Sequence, residues 1–94
     1  MRGQSLVLTN LASTYRRLDE LDEALGYARR AVDAHRRTGH REGQAIALQH
    51  LAEALDEAGR HSEARPCWAE CMSIIEALGD PRQDKARKQL EAHA

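Results

Sequence analysis

The sequence predicts an all-α fold, a solenoid of stacked antiparallel helix hairpins. Among its 94 residues there are 16 Ala and 11 Leu but no Phe, one Trp and two Tyr. Ala is the best helix former and its small side chain lets helices approach closely, whereas the residues that build sheets are scarce. Without a gap, residues 1–40 match residues 41–80 at eight positions, and such a period is typical of solenoids.

Each 40-residue repeat has the pattern of two helices. Apolar residues recur at spacings of three and four, as in Leu8, Leu11 and Tyr15, which indicates an amphipathic helix. A residue that favours turns follows each helix. We expect Asp19 to take the left-handed conformation that glycine adopts freely, since Asp tolerates it better than most residues. The four turn residues are Asp19, Gly39, Gly59 and Gly79.

The pattern divides a single domain, residues 1–94, into three parts. Repeat 1 covers residues 1–40 and repeat 2 covers residues 41–80. Residues 81–94 depart from the repeat, because charged residues replace the large apolar ones of the preceding copies. A weakly apolar helix suits the exposed end of a solenoid, so residues 81–94 are predicted to form a capping helix.

Charged residues one period apart predict that the two repeats stack. Most of these pairs have opposite signs, as expected when equivalent helices lie side by side. Each surface pair contributes only about 0.2–1 kcal/mol, so their main effect would be to set the register. The pairs include Arg16/Asp56, Arg17/Glu57 and Arg36/Glu76.

Composition excludes several classes of function. Fourteen Lys and Arg against 15 Asp and Glu give a net charge of -1, so the chain has no general attraction for nucleic acid or an anionic membrane. No apolar run approaches 18 residues and the first residues lack a signal-peptide core, so a cytoplasmic location is expected. No nucleophile and base share a recognisable spacing, and no phosphate-binding loop is present. We therefore expect neither an enzyme nor a cofactor.

Cysteine and histidine spacings do not predict a metal site. Cys67 and Cys71 lie four apart on one helix face, where Cβ atoms are about 5–6 Å apart, beyond the roughly 3.5–4.5 Å of a disulfide. A metal or redox pair is the alternative to two free thiols, but His61 is the one obvious further ligand nearby. His35 and His40 are expected on different faces. No metal is therefore predicted.

The basic stretch from Arg29 to Arg41 raises nucleic-acid binding as an alternative function. Arg29 and Arg36 share a helix face, as do Arg30 and Arg37. Asp33 interrupts the run, two of these arginines have acidic residues one period on, and stacking aromatics are missing. Protein binding is therefore the favoured function.

The order of large and small apolar residues in both copies resembles the tetratricopeptide repeat family. A 40-residue unit is similar to the longer subtype found in bacterial multidomain signalling and transcriptional regulators. The resemblance implies a non-enzymatic module that binds proteins or peptides. The residues that carry it are Leu8, Leu11, Ala12, Tyr15, Ala24, Ala28 and Ala31, and in the second copy Leu48, Leu51, Ala52, Leu55, Ala64, Trp68 and Cys71.

In this family the concave groove is lined by the first helix of each repeat. The resemblance therefore implies a groove that takes a peptide or a partner helix, and the alternative is a peptide-sensing domain of a larger regulator. Solenoids usually need about three repeats, so we expect either self-association as a homodimer through residues 5–18 or excision of the chain from a longer regulator. The expected groove residues are Leu6, Thr9, Ser13, Arg17, Ile46, Gln49, Glu53 and Glu57.

Overall fold

The computed structural model of the chain describes residues 2–79 and Lys88, with side chains from residue 7 onward. The predicted capping helix over residues 81–94 thus lies, Lys88 apart, outside the described residues. Four helices follow one another and no strand occurs in residues 2–79. The prediction of an all-α helical repeat is confirmed. The helices are α1 (Arg2–Arg17), α2 (Leu21–Thr38), α3 (Arg41–Glu57) and α4 (His61–Leu78).

Left-handed residues end the helices where the sequence predicts turns. Asp19 has a φ of 63° and is the one non-glycine residue with positive φ in the described part of the chain. Gly39 follows α2 with a φ of 71°, and its N–H donates to the carbonyl oxygen of Arg36. The next N–H, of His40, donates to the carbonyl oxygen of His35. These bonds satisfy carbonyl groups at the end of the helix and reverse the chain into α3.

Small residues let the helices of each hairpin approach closely. Ala12 and Ala24 are buried in the first hairpin, and Ala52 and Ala64 are buried at the equivalent positions of the second. The largest fully buried side chain is Trp68 on α4. α3 packs against both α2 and α4 and also contacts α1, so it joins the two hairpins.

One ion pair between the hairpins differs from the predicted partner. Nη1 of Arg16 lies 2.8 Å from Oε1 of Glu57, one residue beyond the expected Asp56. Asp56 is engaged elsewhere, because Nε1 of Trp68 donates to its Oδ2 at 2.9 Å and Nδ1 of His61 lies 2.8 Å from its Oδ1. Ion pairs therefore join the two repeats as predicted, but the paired residues are not always 40 positions apart.

A second contact between the hairpins also involves a different partner from the predicted one. Nη2 of Arg36 donates to Oε1 of Glu70 at 2.7 Å, whereas the expected partner was Glu76. The buried Gln44 donates from Nε2 to Oε2 of Glu70 at 2.7 Å and accepts from Arg41 at 3.3 Å. Equivalent positions of the two repeats therefore need not touch.

The placement of two histidines corrects the sequence analysis. Nδ1 of His35 lies 3.2 Å from Nδ1 of His40, although the two residues were expected on different faces. That expectation treated them as members of one helix. His40 instead follows the left-handed turn at Gly39 and precedes α3, so the chain folds its ring back onto the end of α2.

Candidate peptide-binding groove

The first helices of the two hairpins, α1 and α3, lie in contact and carry all the predicted groove residues. The structure describes Leu6 as part of α1 but not its side chain. Arg17 and Glu57 are exposed. The rest are covered to differing degrees: Thr9 is buried, and Ser13, Ile46, Gln49 and Glu53 are half-buried.

A charged cluster lies where the C-terminal ends of α1 and α3 meet. The guanidinium of Arg16 lies 2.8 Å from Glu57 and 3.9 Å from Glu53. Only 23% of the Arg16 side chain is exposed, and its Nε is buried with no hydrogen-bond partner in the described part of the chain. The predicted pairing of Arg17 with Glu57 is wrong, since Arg16 takes that carboxylate. Arg16 is therefore the cation that the site prediction omitted.

Two polar side chains beside this cluster have no partner within the described residues. Ser13 on α1 and Gln49 on α3 are half-buried, and neither side chain forms a hydrogen bond to any of the residues described. Both carry donor and acceptor atoms. A partially covered polar group gains most from a ligand that supplies the missing hydrogen bonds.

A cleft of about 220 Å³ lies at the opposite end of this surface. Its lining includes Thr9 from α1 and Ile46 from α3, together with the His35 and His40 rings. Burial, and secondarily the neighbouring His40, lowers the pKa of His35 below its ordinary value. The His35 ring is therefore neutral at physiological pH, which allows one Nδ1 to donate to the other.

The basic stretch lies partly on a different surface, between α2 and α4. Nη2 of Arg29 lies 3.9 Å from Glu63, and Arg36 pairs with Glu70. A cleft of about 290 Å³ lies between these two ion pairs. The carboxylates of α4 thus neutralise two of the five arginines between positions 29 and 41 and reduce the attraction of this surface for phosphates.

The two cysteines are separate thiols in this part of the molecule. Cys71 is fully buried, and its Sγ donates to the carbonyl oxygen of Ala45 at 3.3 Å. Cys67 is half-buried and lines the cleft between α2 and α4. Burial, with a smaller contribution from Glu70, raises the pKa of the Cys67 thiol. The thiol is therefore protonated and a poor nucleophile at neutral pH.

Two features of this region were missed by sequence reasoning. A signal existed for Arg16, because it has an acidic residue one period later, but the helix projection favoured Arg17. No periodic signal exists for the histidine pair, since one ring belongs to a turn. The sequence does contain Gly43 in the turn of helix beneath the rings, where a Cβ atom would overlap both His35 and His40.

Comparison with known proteins is consistent with this architecture. None of the helices in residues 2–79 is long and apolar enough to span a membrane. No curated protein and no solved structure matches the chain. The profile of the tetratricopeptide repeat matches residues 4–77, which run from α1 almost to the end of α4. Tetratricopeptide repeats generally mediate protein–protein interactions and are generally non-enzymatic. The chain belongs to the tetratricopeptide repeat family.

Proposed function

We propose that this chain is a cytoplasmic protein-interaction module that binds a peptide segment or partner helix along α1 and α3. The observation that carries the proposal is the pair of half-buried polar side chains, Ser13 and Gln49, which lie on adjacent helices and form no hydrogen bond to a described residue. An extended peptide has unpaired backbone N–H and C=O groups that match such side chains.

The charged cluster beside these residues favours a particular kind of ligand. At this end of the groove Glu53 and Glu57 already engage the Arg16 guanidinium, and with the exposed Arg17 the two signs of charge are equal in number. A ligand carboxylate would compete with Glu53 and Glu57 for Arg16, so a neutral or basic segment would fit better than one ending in a carboxylate. Surface complementarity of this kind raises the association rate and selects partners more than it raises affinity.

The 40-residue period supports a more specific function for the module, within a larger regulatory protein. Long units of this kind resemble those of bacterial multidomain regulators, and the proposal includes a role as the peptide-sensing part of such a protein.

Nucleic-acid binding through residues 29–41 is not favoured, because Arg29 and Arg36 are paired with carboxylates of α4.

The test compares proteins captured from a lysate by the unaltered chain and by a Gln49→Ala, Glu53→Ala variant. Captured proteins are identified by mass spectrometry, and helical content is checked by circular dichroism. We expect the variant to fold but to lose a specific set of partners. Ser73→Ala, an exposed position on α4, is the matched control and should keep them. Identical capture by a folded groove variant would exclude the groove as the binding surface.

A further inference from the structure

His35 is a buried polar side chain at a position where the second repeat has an apolar one. His35 is 5% exposed, and its equivalent in the second repeat, Ile75, is 1% exposed. The second hairpin therefore packs at this position without any polar group. Burying a polar group costs free energy unless its hydrogen bonds are satisfied. Packing alone thus gives no reason for an imidazole at position 35.

One of the two ring nitrogens of His35 has no partner in the described part of the chain. Nδ1 lies 3.2 Å from Nδ1 of His40. Nε2 forms no hydrogen bond to a described residue, and it is not sealed from solvent. In a neutral imidazole one nitrogen donates and the other accepts. Nε2 therefore needs an acceptor or a donor, depending on which of the two rings carries the shared proton.

The cleft that the His35 ring lines determines what can reach Nε2. Its volume is about 220 Å³, and a cavity of about 150 Å³ is large enough for a benzene ring. The lining is mainly apolar and includes Thr9 and Ile46 of the two groove helices. Glu42 also lines the cleft, which disfavours a carboxylate there because like charges repel. The group that fits best is an aromatic ring with an uncharged polar end.

We propose that this cleft binds the tyrosine side chain of a peptide, with the phenolic hydroxyl hydrogen-bonded to Nε2 of His35. A phenolic hydroxyl both donates and accepts, so it pairs with Nε2 in either tautomer. The indole of Trp can only donate, and Phe can do neither. The tyrosine ring also buries a large apolar area while its polar end remains bonded.

The position of the cleft relates this inference to the proposed function, on which it rests. Ser13 follows Thr9 by four residues on α1, and Gln49 follows Ile46 by three on α3. At 1.5 Å per residue these separations are about 4.5–6 Å along the helices. An extended peptide advances about 3.3 Å per residue. The amide groups within one or two residues of the tyrosine would therefore lie beside Ser13 and Gln49.

The test compares N-acetyl-tyrosine amide with N-acetyl-phenylalanine amide as probes in NMR titrations of the full chain labelled with ¹⁵N. We expect the tyrosine amide to bind with a Kd in about the millimolar range, as its small size allows, and to shift the resonances of the cleft residues. The phenylalanine amide should bind about tenfold more weakly. The Nε2 resonance of His35 should respond to the tyrosine amide alone. Equal affinities, or shifts away from the cleft, would overturn the proposal.

Two matched variants test the contribution of His35. His35→Phe removes Nε2 and keeps an aromatic ring, so we expect it to bind both amides equally. His61→Phe makes the same change on α4, where the side chain is 57% exposed, and should keep the preference for tyrosine. A preference that persists in folded His35→Phe would overturn the hydrogen bond to His35. If His35→Phe does not fold, the two probes on the unaltered chain still decide the question.

A third probe, p-cresol, distinguishes a peptide from a free phenol. We expect p-cresol to bind more weakly than the tyrosine amide, and Gln49→Ala to reduce this difference, because the amide groups then lose a partner. Equal binding of p-cresol and the tyrosine amide to the unaltered chain would overturn the peptide as the source of the phenol. Failure of this inference is distinct from failure of the groove. Equal binding of the two amides rejects the tyrosine cleft alone, whereas unchanged protein capture by Gln49→Ala, Glu53→Ala rejects the groove.

Discussion

The stability of this fold should depend strongly on Trp68, and Trp68→Ala is the clearest test of how the second hairpin is held together. The indole is 1% exposed, and its N–H donates to Asp56 on the neighbouring helix at 2.9 Å. Removing a buried Trp side chain leaves a cavity and costs about 3–5 kcal/mol. A domain of this length is stable by roughly 5–14 kcal/mol, so the loss removes a large share of the total.

The assay is urea unfolding followed by circular dichroism at 222 nm, because Trp68 is the single Trp and its fluorescence disappears in the variant. Trp68→Phe is the matched control. It keeps most of the apolar contact and loses the N–H donor, while Asp56 keeps its contact with His61, so a cost of about 1–2 kcal/mol is expected. A loss below about 1 kcal/mol for Trp68→Ala would refute the packing described here.

Four further predictions concern individual residues. Burial and the neighbouring His40 lower the pKa of His35 below 6.5, so the unfolded chain binds a proton at a higher pH than the folded chain does. The free energy of unfolding should therefore decrease as the pH falls from 7.5 to 5.5. In thermal melts, the melting temperature of His35→Gln should depend less on pH than that of the unaltered chain. Arg16→Ala should reduce the free energy of unfolding in urea titrations by about 1 kcal/mol, because the ion pair with Glu57 and the packing of the side chain are lost. Arg17→Ala, at an exposed position, should change it by less than about 0.5 kcal/mol. Equal losses would contradict the placement of Arg16 in the charged cluster. Gly26→Ala should raise the melting temperature, worth about 0.5–1 kcal/mol in helix propensity, since no atom lies within 4 Å of the added carbon. Gly43→Ala should reduce the free energy of unfolding by about 1–3 kcal/mol through overlap with the histidine rings, and a stabilised variant would show that the rings move away freely.

The helices were predictable because their local signals agree with one another. Apolar spacing placed the buried faces, and residues that tolerate positive φ marked the ends. Asp19 illustrates how far such reasoning reaches: its equivalence to Gly59 and the chemistry of its side chain were sufficient to predict a left-handed conformation, which the structure confirms with a φ of 63°. Each of these inferences depends on neighbours in sequence, where geometry is nearly independent of the rest of the fold.

Contacts across the molecule were less predictable, because a repeat period establishes equivalence and not proximity. Arg16 contacts Glu57 instead of Asp56 because Trp68 donates to Asp56, and that bond has no counterpart in the first repeat, where Ala28 replaces the Trp. The histidine contact was missed for a related reason. Helical projection applies within α2, but His40 lies beyond its left-handed end.

Departures from repeat equivalence are therefore the most informative features of this chain. Two copies of one hairpin with the same environment should tolerate the same residues, so a change of residue type at equivalent positions indicates a change of surroundings. Ala47 is covered by the first hairpin, and its equivalent Val7 is exposed and larger. Glu70 pairs with Arg36 between the two hairpins, and its equivalent, Arg30, has the opposite charge. Residue type at these equivalent positions therefore follows the surroundings that each copy has.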